Sequence, residues 1–156
     1  MRRVAVLISL ALASTGTTVL VAGPAGARPA SSPDVFVVDT QFIEGAANEI
    51  VDSGGSFEGC TTVSDLSGGG EQTGPNSVLF FGDKEVTCPT GTVVIHYVAE
   101  LMGAGGHKTK GYWFVVESTV PSISEGFGSV RGDSAACTPS PEASGCILDT
   151  FAGNTA

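Results

Sequence analysis

Helical periodicity is almost absent from this chain. Short apolar or alternating runs alternate instead with clusters of Gly, Pro, Asn, Asp and Ser. That punctuation is the mark of an all-β domain. The runs predict strands over residues 34–43, 56–66, 77–88, 92–102, 109–119, 126–133 and 145–151. Residues 44–52 fit a brief helix or a further strand equally well. Turns are expected at Gly68-Gly69-Gly70, Pro75-Asn76, Pro89-Thr90-Gly91 and across residues 103–106. Connections this short select antiparallel neighbours, because a parallel crossover needs a dozen residues or more. Glycines inside the runs (Gly59, Gly82, Gly111, Gly128 and Gly132) suggest bulges or bends of the kind a closing sheet needs. The expected fold is an antiparallel barrel of about eight strands, with a β-sandwich as the alternative.

The first 27 residues read as a secretory signal peptide. Arg2 and Arg3 form its positive end, Val4 to Ala13 its apolar stretch, and Ala25-Gly26-Ala27 a small-x-small cleavage site. An uncleaved anchor is the competing reading, but the main apolar run falls short of the ~20 residues that span a bilayer. Residues 28–33 form a flexible lead-in, and residues 34–156 form a single barrel domain. The expected location is extracellular, with no stable membrane insertion after cleavage.

Beyond Ala27 the chain keeps sixteen acidic groups but only Arg28, Lys84, Lys108, Lys110 and Arg131 as basic ones, a formal charge of −11. Such a surface repels polyanions, so nucleic acid is excluded as a partner. The four cysteines, Cys60, Cys88, Cys137 and Cys146, are even in number and all lie beyond the leader. In an exported chain that arithmetic favours two disulfides. Pairing Cys60 with Cys88 and Cys137 with Cys146 links near neighbours along the chain. None of their spacings is the short pair of a structural zinc site, so no metal is expected. Nothing in the sequence requires a cofactor.

The segments Gly55–Cys60 (GSFEGC), Phe81–Cys88 (FGDKEVTC), Gly91–Tyr97 (GTVVIHY), Gly111–Trp113 (GYW), Ser118-Thr119 and Gly126–Gly128 (GFG) follow one another in a familiar order. In that order they resemble the allene oxide cyclase-like and dirigent-like β-barrels, a pattern shared by secreted bacterial proteins. The resemblance covers roughly residues 50–135. It implies an antiparallel barrel with an apolar lumen, and it carries over no catalytic residue. Plant members of the group cyclise a fatty-acid epoxide, and dirigent proteins steer phenoxy-radical coupling.

For chemistry, His96 and Glu100 share one strand face at a separation of ~13 Å. Facing the lumen, His96 would act as a general acid or base; facing outward, both are solvated polar residues. Phe80, Tyr97 and Trp113 are candidates to line a ligand pocket, and Tyr112, Phe114 and Phe81 belong to the same aromatic set. Aromatics in strands also serve as packed core. Arg131-Gly132-Asp133 spells an integrin-type tripeptide, but it falls inside a predicted strand and reads as coincidence. Three functions remain open. The leading one is a secreted barrel binding a small apolar ligand in its lumen. The second is a cofactor-free cyclase or isomerase using that lumen. The third is an exported interaction or inhibitor module acting through the 137–146 loop.

Overall fold

The computed structural model describes residues 33–102 and 105–156. The leader read at residues 1–27 and the lead-in up to residue 32 lie outside the described residues. Eight strands follow in chain order: β1 (Asp34–Gln41), β2 (Asn48–Gly54), β3 (Thr62–Gly74), β4 (Ser77–Cys88), β5 (Gly91–Met102), β6 (Lys108–Ser118), β7 (Gly126–Asp133) and β8 (Cys146–Thr155). Each pairs antiparallel with the next, and β1 closes on β8 from Asp34↔Gly153 to Gln41↔Cys146. The fold is therefore the expected closed antiparallel barrel of eight strands. Both expected disulfides, Cys60–Cys88 and Cys137–Cys146, are formed.

Closure leaves one weak seam. β2 and β3 share only the pairs Asn48↔Val63 and Glu49↔Thr62. A 3₁₀ turn at Gly55–Phe57 occupies the gap and drives Phe57 into the core. Asp34 holds this plug, accepting hydrogen bonds from the Ser56 N–H at 2.7 Å and from the Thr155 N–H and hydroxyl at 2.7 and 2.9 Å. Burial on its own raises the Asp34 carboxyl, but these donors from Ser56 and Thr155 outweigh it and hold the group below its usual range.

Alternation sets what fills the barrel. On β5, Val93, Ile95 and Ala99 are buried while Glu100 and Met102 are exposed. Phe36 stacks on Phe151 with ring centroids 4.6 Å apart, and Phe57 and Trp113 complete an aromatic plug. Trp113 fits because β7 carries glycine beside it: a Cβ at Gly128 would lie 2.7 Å from the indole nitrogen.

Three expectations change. The predicted strand over residues 56–66 gives way to the 3₁₀ turn and a strand that starts at Thr62. Residues 44–52, open between a helix and a strand, take the strand reading and supply the start of β2, so no expectation changes there. Gly68-Gly69-Gly70 is no turn but part of β3, paired with Phe80, Phe81 and Gly82 of β4. The Phe81 and Phe80 rings lie over Gly69 and Gly70 at 3.1 and 3.4 Å from where a Cβ would stand. Aromatic rings covering bare glycine backbone keep such a segment extended. The bulges fall at Val37/Val38, Asp65/Ser67, Gln72/Gly74 and Val94/Ile95, not at the in-strand glycines.

Candidate functional site

The aromatic plug fills only part of the barrel. Beside it lies a cavity of about 900 Å³ whose wall includes Ala99, Val130, Ile147 and Phe151. Its rim is formed by the β1–β2 turn at Phe42–Glu44 and by β3 from Asp65 to Gly70. Phe42 and Leu66 are exposed at that rim. This volume lies within the range of small-molecule sites.

A polar collar interrupts the apolar wall, one side chain from each of six strands: Thr40, Asp65, Lys84, Tyr97, Thr109 and Asp149. Strand parity puts them there. Lys84 shares its face of β4 with Val86, and Asp149 shares its face of β8 with Phe151. Lys84 is only 4% exposed, and its Nζ lies 2.6 Å from Asp65 Oδ1 and 5.1 Å from the centre of the Tyr97 ring. Thr40 donates its hydroxyl hydrogen to Asp149 Oδ2 at 3.0 Å. Gly132 makes room for that carboxylate, since a Cβ there would stand 2.6 Å from Oδ1.

Burial dominates the electrostatics. It pushes the Asp149 carboxyl up to about 6, although the Lys84 ammonium and the Thr40 hydroxyl pull the other way; the Asp65 carboxylate adds to the rise. Burial also pushes the Tyr97 phenol up to about 12, helped by the charges of Asp65 and Asp149. Asp149 thus binds its proton more tightly in the folded chain than in the unfolded one. Folding stability should fall as pH rises from about 4 to 6, by roughly 2–3 kcal/mol from this group alone. Carboxyl-carbon NMR should show Asp149 titrating near pH 6 and moving towards the ordinary aspartate range on unfolding. A midpoint below 4 in the folded protein would contradict the buried collar.

The residues singled out from sequence divide sharply. Tyr97 and Phe80 line the cavity. Trp113 does not: it is buried in the aromatic plug. His96 and Glu100 do not face the lumen, because Ile95, Tyr97 and Ala99 take the inward positions of β5. His96 Nδ1 instead meets Asp83 Oδ1 at 2.7 Å on the outer face. That bond, with one from Ser67, holds the Asp83 carboxyl below its usual range. Tyr112, Phe114 and Phe81 are also outside and exposed, and Phe114 pairs with the exposed Phe127 of β7. The Arg131-Gly132-Asp133 tripeptide lies within β7, hydrogen-bonded on both edges to β6 and β8.

Asp39, Cys137 and Cys146 approach one another closely enough to suggest a metal site, but the two sulfurs are spent on their disulfide. The 138–145 loop is tied to the end of β1 and the turn that follows. Phe42 N–H donates to Gly145 O at 2.9 Å, and Ser140 N–H donates to Gln41 Oε1 at 2.9 Å.

Comparison of the chain with protein-family models, with curated proteins and with solved structures gives no match.

Proposed function

We propose that this protein is an exported barrel that holds a small, mainly apolar ligand in its lumen. The observation that carries the proposal is the cavity of about 900 Å³, with apolar walls and a few convergent polar groups. That combination is the usual form of a small-molecule site: apolar surface supplies affinity and placed polar groups fix orientation. Two disulfides and a strongly acidic mature surface suit an extracellular setting. The resemblance to allene oxide cyclase-like and dirigent-like barrels agrees with a lumen-centred role.

Asp149 favours one second reading, a cofactor-free cyclase or isomerase. A buried carboxyl with a pKa of about 6, near a second carboxylate that stays in a partly solvated position, is a workable acid–base pair. The interaction-module reading draws less support, because the 138–145 loop is tied to the end of β1.

Ala99 is buried in the cavity wall. Ala99→Leu should fill part of the space and weaken calorimetric binding of n-hexanol by about tenfold or more, at a stability cost of about 1–3 kcal/mol. Undiminished binding in the folded variant would place the ligand elsewhere.

A further inference from the structure

We infer that the lumen takes ligands with a cationic head, a small alkyl- or arylamine whose ammonium sits at Asp149 and whose apolar body lies against Val130, Ile147 and Phe151. The inference rests on the lumen-binding proposal and specifies its ligand class.

The collar contains two carboxylates and one ammonium, and that ammonium is already engaged. Lys84 Nζ is 2.6 Å from Asp65 Oδ1. Asp149 has only the neutral Thr40 hydroxyl, on Oδ2. Among the described residues no side-chain cation lies within 4.0 Å of Asp149. Yet Asp149 is 9% exposed and lines the cavity. Lys84 acts on this carboxylate only from beyond 4.0 Å, so Asp149 lacks a direct ion-pair partner, and a ligand ammonium placed against it offsets the cost of burying its charge.

The rest of the site discriminates in the same direction. Lys84 is neutralised by Asp65, so an anionic head finds no free cation in the collar and meets the charge of Asp149. Glu44 stands at the rim, adding a second barrier to anions. A hydroxyl head satisfies hydrogen bonding but leaves the charge uncompensated. The apolar contacts beside Asp149 suit a short hydrocarbon body, since Ile147 and Phe151 flank it on the same face of β8.

The amine preference must also depend on pH. Facing Asp149 across the lumen are Asp65 from β3, Lys84 from β4 and Tyr97 from β5, with Glu44 at the rim; β1 contributes the uncharged Thr40 and Gln41, β6 contributes Thr109, and β7 contributes Val130 and Gly132. Of these, Asp149 has the carboxyl raised to about 6, so its ionisation is the event that switches the preference on.

The test is calorimetric titration of the protein with n-hexylamine, n-hexanol and hexanoate, at about pH 8 and about pH 5, repeated with Asp149→Asn. At the higher pH hexylamine should bind roughly tenfold more tightly than hexanol, and hexanoate most weakly. The amine preference should collapse at the lower pH, and it should be lost in Asp149→Asn while hexanol binding persists. Hexanol matching hexylamine at the higher pH, or a preference that survives Asp149→Asn, would overturn the cationic-head assignment and leave the container intact. Binding of none of the three probes would overturn the container itself. The pH comparison uses unsubstituted protein, so it decides the question even where the variant folds poorly.

Discussion

Phe36→Ala should destabilise the barrel by about 3–5 kcal/mol, the range for emptying an aromatic site in a rigid core. Phe36 is fully buried and stacks on Phe151 with an interplanar angle of 4°; its ring also lies 4.7 Å from Phe57 and 6.4 Å from Trp113. The surrounding strands belong to a closed ladder and cannot collapse into the space without breaking register. The comparison is Phe127→Ala, which removes a ring that is 70% exposed and should change stability by less than about 0.5 kcal/mol. Urea denaturation of both variants checks the pair. Equal losses at the two positions would contradict the division between an aromatic plug and a solvated outer face.

Replacing both Cys60 and Cys88 with Ala should cost about 3–4 kcal/mol, more than the 2–3 kcal/mol expected for Cys137 and Cys146. The difference follows from loop length. The first bridge spans 28 residues of sequence and the second spans 9, so the first removes more freedom from the unfolded chain. Position adds to length. Cys60 and Cys88 bracket the β3–β4 hairpin just beside the seam where β2 and β3 share two residue pairs. With this staple gone, amide exchange should accelerate first at Asn48–Gly54 and Thr62–Val63. The second pair of substitutions should loosen only the 138–145 loop and its contacts with Phe42 and Gln41. A larger loss from the shorter bridge would argue that the seam is not the barrel's weak point.

Strand positions were legible in the sequence because burial alternates where one face is packed. Residues 126–133 appear as a strand with unchanged limits, and 77–88 likewise. The glycine run at 68–70 misled because local propensity favours a turn there. Only the rings of Phe80 and Phe81, carried by the neighbouring strand, reveal why those glycines stay extended.

The collar was harder to see. Lys84 stands between Asp83 and Glu85 and reads as one charge in a solvated hairpin. Asp149 is a lone acid in a chain rich in acids. A signal was nonetheless present: both share strand parity with buried apolar neighbours, Val86 for the lysine and Phe151 for the aspartate. Parity also decides His96. Tyr97 faces inward, so its neighbour faces out, and the histidine becomes the surface partner of Asp83.

The central claim is that a small apolar molecule enters the barrel. Methyl NMR during addition of n-hexanol tests it residue by residue. The expected result is saturable shifts at Ala99, Val130 and Ile147, which line the cavity, with Val94, Val98 and Val116 unmoved because they lie outside it. Shifts confined to the outer set, or no saturable shift at the inner one, would contradict a ligand-binding lumen.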